Sequence, residues 1–146
     1  METNLYEPLA VLIETQKFEV ANRTAEAAIA SQSPLFNEMN AMQIAERLVV
    51  SVDMVIRYLR SGDAREWTAF ISRTSAAWRE KGYTADQVNA VGKTIAAKMV
   101  ELVEEHFPGP EQQVERERYI RRINGLDSLA GISSLVAHLK EEEKNK

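Results

Sequence analysis

The chain has two histidines, His106 and His138, and 22 acidic side chains, so metal and acid–base chemistry are weighed first. A di-iron helical bundle needs Glu-x-x-His pairs on two helices, because residues i and i+3 turn both ligands toward one metal. The residues three before the two histidines are Val103 and Leu135, and neither pair exists. Glu101, Glu104, Glu105 and His106 are rich in ligand types but fan around a helix. Glu101 and Glu105 share a face, with no matching set elsewhere, so the cluster reads as a solvated acidic face and no metal site is expected. Nucleophilic chemistry has little to stand on: there is no cysteine and no Gly-x-Ser-x-Gly elbow. Gly-x-Gly-x-x-Gly and Walker A patterns are missing too. Gly92-Lys93-Thr94 is like the end of a phosphate loop, but Gln87 occupies the place of its first glycine and the segment has a helical pattern. No catalytic residue is assigned, and a non-enzymatic role is expected.

Binding has better candidates. Trp67, Phe70 and Trp78 recur at helical spacing, and with Met54 and Met99 such a set either fills a core or lines an apolar ligand cavity. His106 ends an apolar stripe. It is either a ligand to haem iron or a polar anchor in a pocket, or, more plainly, a helix-capping or core-edge histidine. The candidate ligand-binding set is Trp67, Phe70, Trp78, Met99 and His106, with no cofactor assigned. His138, beside Leu139 and Lys140, reads as a surface residue. Arg116, Arg118, Arg121 and Arg122 form a basic run interleaved with Glu115 and Glu117, so their charges partly cancel. With a net charge of −4, no nucleic-acid partner is expected.

The elements that must position these residues are helical, because apolar residues recur with period 3.6 and few stretches alternate with period two. A first helix is predicted over Leu5 to Ala30, opened by an Asn4–Glu7 capping pair or by Pro8 after a Glu7 cap. Leu5, Leu9, Leu12, Ile13 and Val20 form its apolar face. A second spans Ala41 to Arg60, capped by Asn40 and Gln43, with Ile44, Leu48, Val52, Val55 and Leu59 as its stripe. A third spans Ala64 to Lys81, with Asp63 and Glu66 as a capping box and Gly82 as the left-handed stop. Trp67, Phe70, Ile71, Thr74, Ala77 and Trp78 share its face.

A fourth helix spans Ala85 to Phe107, capped by Thr84 and Gln87, with Val88, Val91, Ile95, Met99, Leu102 and His106 on one stripe. Pro108, Gly109 and Pro110 end it. The segment 111–146 is mostly helical, with Glu117 and Arg121 at ion-pair spacing and a kink or restart expected at Asn124-Gly125. Its second stripe, Leu129, Ile132, Leu135, Val136 and Leu139, needs a partner and is the expected homodimer contact.

Length and composition agree with this picture. A chain of 146 residues fits one domain with a real core, and 45% hydrophobic with 27% charged residues is ordinary for a soluble protein. The lack of cysteine excludes disulfides, thiolate zinc and thioether-linked haem. The early acidic residues Glu7 and Glu14 fit no signal peptide, and no apolar run approaches the ~20 residues of a membrane span. A cytoplasmic protein without membrane contact is expected.

The stretch from Tyr58 to Val103 has a further quality. A Leu-Arg-Ser-Gly-Asp turn (Leu59 to Asp63) precedes a helix with an early tryptophan, Trp67. That helix closes in Arg79-x-x-Gly82-Tyr83, and a capped helix then opens with Asp86 and Val88. This grammar resembles the N-terminal non-haem globin-like sensor domains of RsbR- and RsbRD-type regulators of the bacterial stressosome, over residues 5 to 107. The resemblance implies an all-α, globin-like bundle of five to seven helices that is dimeric and serves stress signalling. In such regulators a linking helix leads to a C-terminal STAS output domain. No STAS domain lies within these residues, so the resemblance implies a sensor domain of a longer protein or a stand-alone relative, with an output domain or another regulatory protein as partner. The competing expectation is a haem- or other tetrapyrrole-binding globin-like protein with His106 as ligand.

Overall fold

The computed structural model describes residues 4–37 and 39–144, with side chains described as far as residue 128. Six α-helices follow one another: α1 (Glu7–Thr15), α2 (Lys17–Ala30), α3 (Ala41–Ser61), α4 (Arg65–Glu80), α5 (Ala85–His106) and α6 (Gln113–Lys144). Short 3-10 turns at Pro34–Phe36 and Pro110–Gln112 precede α3 and α6. Among the described residues there is no strand, and no helix is long and apolar enough to cross a membrane.

Two helices start where their caps dictate. The Asn40 side chain accepts from the Gln43 backbone N–H while Gln43 accepts from that of Asn40, and Thr84 and Gln87 repeat the arrangement at α5. Each box satisfies two of the donors that a helix N-terminus leaves without partners. Gly62 and Gly82 follow α3 and α4 with φ of 72° and 93°, a region that costs a residue with Cβ far more than glycine.

Other boundaries differ from the expected ones. The first predicted helix is two helices, broken at Gln16 (φ −107°, ψ 17°), and Tyr6 holds the N-cap position of α1. Asn4 does not form a capping box with Glu7. Its amide instead donates to the Leu59 carbonyl at 2.9 Å, covering the last turn of α3. Asp63 caps nothing through Glu66; it accepts from the Arg65 backbone and pairs with that side chain, while Ala64 stands at the N-cap. α6 runs without a break through Asn124 and Gly125. Arg116 donates to the carbonyls of Phe107 and Gly109 and so fastens the turn that leads into it.

The core lies between α1, α2, α3, α5 and the first half of α6. The α3 stripe is buried along its whole length, Ile44 to Leu59. On α1 and α2, Leu9, Ile13 and Val20 are buried and Leu12 is half-buried, but Leu5 is 62% exposed because it precedes the first helical turn. α2 packs chiefly on α3 and then on α5, with Ala21, Ala25 and Ala28 among its buried residues. Small side chains there let backbones approach closely. α6 adds Tyr119, Ile123 and Leu126 to the core, spaced +4 and +3 and hidden in the sequence among charges. The expected dimer stripe, Leu129, Ile132, Leu135, Val136 and Leu139, lies on α6 outside the residues whose side chains are described.

Ion pairs bind helices across the surface. Arg60 on α3 pairs with Glu14 and Glu7 of α1, and Arg23 on α2 makes two hydrogen bonds to Glu105 of α5. All are substantially solvated, which keeps each of them weak. Core and caps therefore dominate. Leu102→Ala is expected to cost about 3 kcal/mol of unfolding free energy and Thr84→Ala about 1 kcal/mol. Urea denaturation with unchanged m-values checks both, and a cap variant costlier than the core variant would contradict this order.

Candidate functional site

α4 contributes little to the core described above. It packs mainly on α6 and touches α3 and α5 only lightly. Only Trp67 and Ser75 on it are buried, while Phe70, Ile71, Thr74 and Trp78 are half-buried and Ala77 is exposed. Between this helix and α3, α5 and α6 lies a cavity of about 720 Å³. Leu48, Met54 and Val55 of α3 form one wall, and Ile95, Ala96 and Met99 of α5 another. Ile123, Leu126 and Asp127 of α6 close a third side. The volume is in the range of sites for drug-sized ligands, and the lining is mostly apolar as in such sites.

Large aromatics hold α4 away from its neighbours. Trp78 meets Phe36 edge-on at 6.0 Å between ring centres and Tyr83 at 5.5 Å, and the Tyr83 hydroxyl donates to the Pro34 carbonyl. Lys81 covers the Trp78 face at 5.0 Å. Further along α4, Trp67 and Phe70 lie with ring centres 6.2 Å apart. On α5, Gly92 and Ala96 interrupt the larger Val88, Val91, Ile95 and Met99, and a Cβ added to Gly92 would meet only Asp127 Oδ1, at 3.8 Å. The two small residues leave part of the hollow unfilled from that side.

The polar groups of the lining are few. Arg47, Arg73 and Lys81 are exposed and mark the mouth. Trp67 Nε1 and Ser75 Oγ are buried without a hydrogen-bond partner among the described residues. Asp127 is the single carboxyl in the wall. Burial raises its pKa, and the neighbouring Lys93 only partly opposes this.

Of the five residues expected at a ligand site, Trp67, Phe70, Trp78 and Met99 are brought together in this wall. His106 is not. It is exposed at the last turn of α5, with Nδ1 3.0 Å from the Leu102 carbonyl oxygen. Phe107 takes the inner place instead and meets Tyr119 edge-on at 5.2 Å. The stripe of α5 thus ends in the core at Leu102 and Val103, one turn before the helix does. The contribution of α6 escaped the sequence reading, although the spacing of Tyr119, Ile123 and Leu126 carries it. Among the described residues, no three carboxylate or imidazole side chains gather as a metal site would require.

No protein-family model, no curated protein and no solved structure matches this chain.

The Asp127 carboxyl has a pH signature. A carboxyl with a higher pKa in the fold than in the unfolded chain lowers stability above that range and is neutral below both values. Asp127→Asn is expected to raise the unfolding free energy near pH 7, with the gain shrinking toward zero as pH falls to about 4. Urea titrations of both proteins across this range check it, and equal stability at neutral pH would refute it.

Proposed function

We propose that this protein is a non-enzymatic sensory or regulatory domain that takes an apolar small molecule into the cavity beneath α4 and passes the result on through protein contacts. The cavity itself carries the reading: about 720 Å³ walled by four helices, with two tryptophans, two phenylalanines and two methionines in its lining. Its lining offers binding surface, and Asp127 is its one carboxylate, with no histidine to act beside it. The all-helical architecture agrees with a globin-like sensor domain of the stressosome-regulator kind that Tyr58 to Val103 resembles, and bacterial signalling is the proposed setting. A homodimer through the second half of α6, in the cytoplasm, completes the proposal. Haem ligation by His106 has no support in the geometry, since that side chain faces away from the cavity.

A guest acts as a signal only if it binds two arrangements of the protein with different affinity. α4 is the element most free to differ between them, because it is held mainly from α6.

Both tryptophans of the chain line the cavity, so intrinsic fluorescence reports on it directly. Titration with anilinonaphthalene sulfonate is expected to enhance the dye's emission and quench tryptophan saturably, at one site per chain. Ala96→Phe, which fills the hollow from α5, is expected to weaken the dye at least tenfold while far-UV circular dichroism stays unchanged. Undiminished binding in that variant would place the dye elsewhere and remove the cavity reading. Native mass spectrometry of the protein as purified is expected to give a dimer, and a monomer would remove the proposed contact.

A further inference from the structure

A second, smaller hollow of about 310 Å³ lies where the start of α1, the end of α3 and α6 meet. Its lining is Tyr6, Tyr58, Arg118, Arg121 and Arg122, with Gly125 and Leu126. Three guanidinium groups share this small volume without an acidic residue in the wall. The carboxylates that alternate with them in the sequence are engaged elsewhere. Glu115 accepts from the Tyr119 hydroxyl at 2.7 Å, and Glu117 accepts from the Gln113 amide at 3.2 Å. Among the described residues the ion pair expected between Glu117 and Arg121 does not form, so the charges that partly cancel along the chain are separated in the fold.

Arg122 is also held in a particular way. Its guanidinium carbon lies 4.4 Å from the Tyr6 ring centre and 4.6 Å from that of Tyr58. Ring faces attract the cation but supply no acceptor for its N–H groups, and Nε is buried without a hydrogen-bond partner. The fork is therefore fixed before any ligand arrives, which reduces the ordering cost of binding. Fixed guanidinium groups suit oxyanions, since their paired N–H groups match the spacing of carboxylate and phosphate oxygens. Three positive charges favour a dianion over a monoanion.

We propose that Arg118, Arg121 and Arg122, with Tyr6 and Tyr58, form a binding site for the phosphoryl group of a small molecule. Arg122 supplies the fixed fork, Arg118 and Arg121 close on the remaining oxygens, and the tyrosine hydroxyls are the available neutral donors. Bound anion would relieve the mutual repulsion of the three cations and so stabilise the folded chain by mass action.

The test uses the full chain at constant ionic strength set with sodium chloride. Inorganic phosphate and adenosine monophosphate are titrated separately by thermal shift and by calorimetry. Saturable stabilisation by inorganic phosphate is expected, and R118Q and R121Q are each expected to weaken it at least fivefold. These two arms carry the test because neither side chain has a hydrogen-bond or ion-pair partner among the described residues, so the variants should keep the fold. R122Q also removes the cation beside Tyr6 and Tyr58, and its use requires an unchanged far-UV spectrum. Tighter binding of the nucleotide than of phosphate supports the site with a phosphomonoester as its source, and equal affinity supports it with free phosphate. No saturable shift with either ligand, or binding that survives in the R118Q/R121Q double variant, overturns the proposal.

Discussion

The close approach of α2 to α3 is the constraint on which the remaining geometry rests. α2 presents Ala21, Ala25 and Ala28 to the interior, and α3 answers with an unbroken buried stripe. Side chains this small leave no slack, so the pair is set by backbone proximity and the other helices must fit around it. α1 is tied to α3 by Arg60 and by the Asn4 amide on the last carbonyls of α3. α5 is tied to α2 by Arg23. Once these four are fixed, the far side of α3 is left without an equally close neighbour.

That far side is where volume is unbalanced. α4 approaches it with tryptophan and phenylalanine, whose rings brace against one another and against Phe36 and Tyr83. α5 offers Gly92 and Ala96 on the same side. A well-packed core alternates large and small groups so that they interlock, but here the large groups brace the helices apart and the small ones recede. Filling such a hollow with side chains would have cost the sequence little. Glycine in the middle of α5 even lowers helix stability by about 1 kcal/mol relative to alanine, and it keeps the space open.

Helix grammar was the most legible part of the sequence. The α3 and α5 capping boxes, the α3 stripe and the α5 stripe as far as Leu102 are where spacing placed them, since a cap and a 3.6-residue period are local facts. The split at Gln16 was not legible, because neither glycine nor proline marks it and the turn follows from how α1 and α2 must lie on α3. His106 was misplaced because periodicity continues to the end of a helix whether or not a neighbour covers that end. Five aromatic and methionine positions of the cavity could be named from the sequence, but the void between them could not. An apolar stripe reads the same whether it is packed tight or faces a hollow. The arginine cluster was visible as a run whose charges partly cancel along the chain, but which acid meets which base is not decided by proximity along the chain.

Leu126 belongs to the walls of both hollows. It is buried, so its rotamer is set jointly by whatever stands on either side. A guest under α4 that displaces this side chain alters the free energy of occupying the arginine hollow. By thermodynamic linkage, an anion there alters the affinity for the guest by the same factor. With the proposed occupants in both chambers, this one shared leucine would couple their occupancies, with either sign and without a hinge or any helix changing place.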